Sequence, residues 1–242
     1  MTKHKELFYG VICCFAILIF TSFSYNQKSK NSITSADENK KIIYLTFDDG
    51  PSKLTNKILD ILKENDVHAT FFVIGNQIKG YEEALMRTYS EGHAIGLHTY
   101  THKFRNIYSS QSAFIKEMYD SRDEINKIIG VSPNIIRFPG GSRNRINEQS
   151  IKLLHSCNFK IYDWNMVISD GNNPKTSSDR LFREATIGEV KPNVIILLMH
   201  CDYMHKNTCI ALPSIIKYYK NLGYDFRVIT ENTPEYYFLI KK

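Results

Sequence analysis

The stretch at 194–199 (VIILLM) is apolar at every position, as expected of a parallel-sheet strand covered by helices on both faces. It belongs to a longer alternation. From Lys41 onward, β-type runs at 42–47, 69–74, 93–97, 134–138, 159–164, 194–199 and 226–229 are separated by helical patterns. Those patterns lie at 54–65, 77–90, 111–129, 147–157, 177–190 and 211–222. Pro213 fits the first turn of the last helix, and Gly223 its C-terminal cap. Seven strands with helices between them predict a parallel α/β barrel or a doubly wound sheet, in one domain covering 41–242. No internal repeat suggests a second domain.

The formal charge of +6 is unevenly placed: residues 1–41 hold six Lys and three acids, so half of the excess lies in the first sixth of the chain. The nearly balanced remainder has no basic run and argues against nucleic-acid binding. Five Cys in a domain of this size are not a disulfide scaffold. Cys201 and Cys209 are expected either to pair or to stay free thiols. Lys3 and Lys5 precede the apolar stretch 7–20, and no charge appears from Leu7 to Gln27. This layout predicts an export segment over 1–25, an uncleaved apolar helix or a cleaved signal peptide, followed by a polar linker over 26–40. In either case the domain is expected outside the cytoplasm, membrane-anchored or secreted. No protein partner is implied.

The chemistry-bearing residues fall just after predicted strands, where α/β folds build their sites. The first strand ends in Thr-Phe-Asp-Asp-Gly-Pro, with adjacent carboxylates Asp48 and Asp49. The third runs into His98-Thr-Tyr-Thr-His102, whose imidazoles at i and i+4 would face one way in a helical turn and grip one metal ion. The fourth leads into Arg137-Phe-Pro-Gly-Gly, where glycine permits close backbone approach to a ligand and Arg137 suits a carboxylate. The sixth delivers His200.

These motifs resemble those of the NodB-like polysaccharide deacetylases, carbohydrate esterase family 4. TFDDGP, HTYTH, RFPGG and LLMH are similar to the family's first, second, third and fifth motifs, and the resemblance spans about 41–230. It implies a distorted (β/α) barrel of about seven parallel strands and hydrolysis of an N-acetyl group on a sugar, with release of acetate. Asp49, His98 and His102 would then hold a divalent ion, Zn²⁺ or else Co²⁺, Ni²⁺ or Mn²⁺, with positions left open for water and substrate. Asp48 would be the general base, oriented by Arg137. The N–H of Gly140 would help stabilise the oxyanion, and His200 would protonate the leaving amine.

By position Asp170 looks like the carboxylate that tunes His200, with Asp163 as the alternative; a Trp often follows that Asp in relatives, where this chain has Gly171. Relatives commonly read His-Asp where this chain reads His200-Cys201, which leaves the strength of the acid open. Trp164 would either stack on a pyranose ring or pack in the core. His68, His93, His155 and His205 are expected to be surface or packing residues. The implied substrate is a cell-wall polysaccharide, peptidoglycan first. An O-acetyl esterase acting on a xylan-type glycan and a non-catalytic wall-binding relative are the competing readings.

Overall fold

The structure, a computed structural model, describes residues 40–188 and 192–238, and its central strand β1 (Ile42–Gly50) is buried along nearly its whole length. β2 (Thr70–Val73) flanks it on one side and β7 (Val194–His200) on the other, both parallel to it. The sheet continues outward from β2 through β3 (Ala94–Leu97) and β4 (Ile135–Ile136) to β5 (Lys160–Ile161), and outward from β7 to β6 (Met166–Val167). β8 (Asp225–Phe226) pairs with the first residues of β1. Every pairing is parallel, so all strands end on one edge. Among the described residues β5 and β6 do not pair with each other, so the result is a curled parallel sheet with one open seam.

The helices that cross over are α1 (Thr55–Glu64), α2 (Glu82–Ser90), α3 (Phe104–Ile107), α4 (Gln111–Ile129), α5 (Glu148–Ser156), α6 (Ser178–Thr186) and α7 (Lys206–Asn221). The two-residue period of β1 sorts its side chains between two cores. Ile43, Leu45 and Phe47 face the helices, where they join Leu62, Met118, Leu197 and Leu212. Ile42 and Tyr44 face inward, against Phe72, Ile135, Tyr162 and Ile196. The next two positions of that inner register are Thr46 and Asp48, both buried. The inside of the curl therefore changes from apolar to polar on approaching the C-terminal edge, where a site belongs.

Most expected elements are present, and the departures have local causes. The helix expected over 77–90 is interrupted: a single 3-10 turn at Gly75–Gln77 ends before Gly80, at φ +88°, and α2 starts at Glu82. The strand expected over 159–164 narrows to β5 because the carbonyls of Tyr162 and Asp163 accept hydrogen bonds from Arg137 rather than from a neighbouring strand. The last helix begins at Lys206, not at 211, so Pro213 lies in its interior instead of its first turn; the helix continues past it without that N–H. α3 and β6 were not expected and are too short to show a period.

The apolar stretch and most of the linker lie outside the described residues. Among those described, no helix is long and apolar enough to cross a membrane. Leu45, fully buried in the helix-facing core, should when changed to Ala lower the unfolding free energy in urea by about 2–5 kcal/mol without changing the circular dichroism of the folded state.

Candidate active site

Four strand ends supply the site. Asp48 is on the inner face of β1, and Asp49 follows at φ +67°, a left-handed conformation that breaks the strand alternation. His98 stands immediately past β3. The segment from there to His102 is a loop rather than the expected helical turn, with Thr99 at φ +68° and His102 at φ +54°. Glu117 of α4 holds this loop from behind, accepting from the Tyr100 N–H (2.9 Å), the Thr101 N–H (2.7 Å) and the Thr101 hydroxyl (2.9 Å). The imidazoles converge all the same: Asp49 Oδ1 lies 3.4 Å from His98 Nε2 and 3.3 Å from His102 Nε2.

Three observations fit this triad to a divalent cation. Its ligand atoms all lie within 4.8 Å of one another. Asp49 Oδ1 is buried and accepts no hydrogen bond. His98 Nδ1 faces the Arg137 carbonyl at 2.9 Å, which places the ring proton there and leaves the Nε2 lone pair directed at Asp49. Burial pushes the His98 pKa down, against the pull of Asp48 and Asp49, so the ring is the neutral form a metal needs. Two imidazoles and a carboxylate suit Zn²⁺ and its neighbours in the first transition row.

Arg137, completely buried, donates to Asp48 Oδ1 (3.0 Å), the Thr46 hydroxyl (2.6 Å) and the carbonyls of Tyr162 (2.8 Å) and Asp163 (3.0 Å). Its guanidinium lies 4.1 Å above the Phe72 ring. Asp48 is thereby fixed by β4's end, with its other oxygen 3.6 Å from His98 Nε2.

Opposite Asp48 in the β1–β7 register stands His200. Its Nδ1 is 2.9 Å from Asp170 Oδ1, and its own N–H donates to Asp170 Oδ2 (2.9 Å). Burial alone would lower the His200 pKa. The hydrogen bond and charge of Asp170, with Asp48 and Asp49 further off, overcome this and raise it to about 9. Of the two alternatives, then, Asp170 is the partner of His200. Asp163 instead holds Ser142, accepting from its N–H at 3.0 Å and from its hydroxyl, and receives the Phe238 N–H at 2.9 Å. Glycine follows Asp170 for a steric reason: a Cβ at Gly171 would sit 2.3 Å from His200 Cε1.

The remaining expectations divide. Gly140, at φ +74°, is exposed, and its N–H makes no hydrogen bond among the described residues. Trp164 is half-buried, edge-on to Phe238 at 5.1 Å and against Gly141. Cys157, Cys201 and Cys209 are free thiols. Cys201 donates from both N–H (2.9 Å) and Sγ (3.2 Å) to the Asp48 carbonyl, so it braces the strand end.

His93 lies at the opposite end of β3, accepting from the Ala69 N–H, with its pKa lowered to about 4 by burial and by His68. His205 is the packing residue of the two alternatives: it is buried, its ring stacks on His200 at 5.4 Å, and its Nδ1 lies 2.8 Å from Asp202. Thr208, unforeseen, donates to Asp170 Oδ2 (2.9 Å). Both lie at the start of a helix that the sequence pattern placed later.

A curled parallel α/β sheet carries at its C-terminal edge an Asp-His-His triad able to hold a metal ion, flanked by a second carboxylate and a second histidine, groups of the kind that hydrolytic sites combine. The polysaccharide deacetylase family profile matches residues 35–162. The chain is 35% identical over 198 residues to a peptidoglycan-N-acetylglucosamine deacetylase of Bacillus cereus, covering 80% of this chain and 71% of that protein. It is 33% identical over 213 residues to the peptidoglycan-N-acetylmuramic acid deacetylase PdaC of Bacillus subtilis, covering 85% of this chain and 43% of PdaC. The crystal structure of the polysaccharide deacetylase Bc1974 from Bacillus cereus superposes with a TM-score of 0.74 at 34% identity, covering 81% of this chain and 95% of that one. This chain belongs to the polysaccharide deacetylase family, enzymes that hydrolyse N-acetyl amide bonds.

Replacing Arg137 by Met strands the buried Asp48 carboxylate and two buried carbonyls. A loss of about 3–5 kcal/mol in urea unfolding is expected.

Proposed function

We propose that the domain over 41–242 removes N-acetyl groups from amino sugars of an extracytoplasmic polysaccharide, peptidoglycan first, with release of acetate. In this reading 1–25 directs export or anchors the chain, and 26–40 tethers the domain. The observation that carries the chemistry is the β1–β7 register, which sets Asp48 opposite His200 with the Asp49–His98–His102 triad beside them. The substrate is suggested by what the relatives above are named for.

Asp49, His98 and His102 would hold the divalent cation, zinc by its donor set, which supplies polarisation of the acetyl carbonyl and a lowered pKa for attacking water. Asp48 removes the water proton. Its geometry for this comes from Arg137, which occupies one carboxylate oxygen and leaves the other toward His98. The Gly140 N–H is a donor with no competing partner among the described residues and serves the oxyanion. His200 gives its Nε2 proton to the leaving nitrogen, while Asp170 accepts from Nδ1 and stabilises the imidazolium. The need for this acid favours amide over ester hydrolysis, since an amine departs poorly without a proton. Trp164 offers its exposed face to a sugar ring.

Acetate release from purified peptidoglycan, N-acetylglucosamine oligomers and O-acetyl xylan, before and after chelation and with Zn²⁺ or Co²⁺ restored, tests the reading. Release from the amino-sugar polymers, lost on chelation and regained with metal, is expected; release from xylan alone supports the esterase reading. Asp48→Asn and His200→Ala should each lower kcat by about 10²–10⁴, and an Asp48→Asn enzyme of full activity contradicts the base assignment.

The pH dependence has a definite sign. His200 is the acid only while protonated, so activity falls as pH rises through its raised pKa. A cation at the triad offsets the help from Asp48 and Asp49, leaving Asp170 as the group that holds the pKa up. Asp170→Asn should therefore move the alkaline limb of the kcat profile to lower pH. A limb that stays in place counts against the pair.

A further inference from the structure

Beside the metal triad the molecule carries a second recess that the proposed reaction does not use. A run of rings leads into it. His102 meets Phe104 edge-on at 5.7 Å, Phe104 meets Tyr108 at 5.6 Å, and Tyr108 stacks on Phe114 at 5.9 Å, which stacks in turn on Phe138. Past Phe104 these rings form the floor of a pocket of about 230 Å³ between the starts of α4 and α5, rimmed by Gln111, Asn144 and Arg145. The floor is tied to the loop after β4: the Tyr108 hydroxyl donates to the Pro139 carbonyl at 2.7 Å, and Phe138 follows Arg137 in the chain.

Arg145 is the one cation of this rim. Its guanidinium lies 3.8 Å from the centre of the Tyr108 ring and 5.9 Å from that of Phe104. Among the described residues the arginines in ion pairs are Arg87, Arg137, Arg180 and Arg227, and Arg145 is in none. Its backbone is pinned by an N–H bond to the Ser142 carbonyl, in the same loop that carries Gly140. A guanidinium held over an aromatic ring still carries N–H donors that can meet a carboxylate. Asn144, at φ +62°, adds an amide beside it. The pocket thus joins an apolar floor, an unmatched positive charge and a position two ring contacts from a metal ligand.

We infer that this pocket binds a carboxylate-bearing substituent of the glycan next to the acetamido group being cleaved, with Arg145 as the recognising cation. Peptidoglycan has such groups on its peptide branches, and on its lactyl groups where the peptide is absent, and chitin has none. The inference deepens the proposed function and rests on it for the identity of the reacting sugar. Arg145 stands apart from the acid, the base and the triad, so the pocket selects among substrates without taking part in bond cleavage.

The test compares kcat/KM for acetate release from a neutral N-acetylglucosamine tetramer and from soluble peptidoglycan fragments with free carboxylates. Arg145→Gln should lower the value for the fragments about tenfold, mainly through KM, the size of one charge-assisted contact at a half-open site. The tetramer value should stay within about twofold, and Arg145→Lys should recover part of the loss. Amidating the fragment carboxylates should erase the difference between wild type and Arg145→Gln. Equal effects on both substrates, or no effect on either, overturn the inference. Should the wild type release acetate from neither, the deacetylase reading fails separately. Calorimetric binding of the free-carboxylate fragments to wild type and Arg145→Gln then decides the pocket, equal affinities overturning it.

Discussion

The buried guanidinium of Arg137 is the interaction on which the rest of the site depends. Its charged end ties β1 to the far side of the curl, through Thr46 and Asp48 in one direction and the Tyr162 and Asp163 carbonyls in the other. Its own carbonyl fixes the His98 ring. One residue therefore sets both the carboxylate proposed as base and a ligand of the proposed cation. The surroundings suit a buried charge: every N–H group of that fork named above meets an oxygen, and the Phe72 ring covers one face. The cost is borne by the sheet, which gives up regular pairing after Ile161 because the carbonyls are occupied.

The second half of the site is built by register. β1 and β7 are paired over seven successive positions, ending in Asp48 opposite His200, and both strands are packed on both faces. A slip of one residue would turn every apolar side chain to the wrong core, so burial enforces the alignment on which the polar pair relies. His200 is then held by a carboxylate that is itself satisfied by the Thr208 hydroxyl and the Gly171 N–H. Cys201 follows His200 in the chain and adds no carboxylate there, yet the hydrogen bond and charge of Asp170 raise the His200 pKa, and the thiol donates to the Asp48 carbonyl.

The strand-end motifs were legible because they combine rare residue types with strong neighbouring patterns: TFDDGP closes a strand of nine, and LLMH closes one of seven. The 19 residues of α4 matched their expected bounds, since a long amphipathic period leaves little choice. What stayed hidden depends on contacts far apart in sequence. His205 and Thr208 act from a helix whose start the pattern placed beyond them, because Pro213 suggested a first turn. Glu117 looks like any acid on a helix surface, and only the fold sets its carboxylate under the His98–His102 loop. The choice between Asp163 and Asp170 likewise turned on which carboxylate the curl brings to β7. The expected helical turn at His98–His102 was replaced by two left-handed residues, with the same convergence reached by another backbone path.

In the proposed reading Asp49, His98 and His102 form one cation site that the rest of the architecture serves. Metal analysis and competitive Zn²⁺ titration of the purified domain, alongside Asp49→Ala and His102→Ala, test it most directly. One divalent ion per wild-type chain is predicted, with affinity at least about tenfold weaker in each variant while the circular dichroism stays unchanged. A chain that binds no metal, or variants that keep the full stoichiometry at undiminished affinity, would rule out a cation site at these three residues.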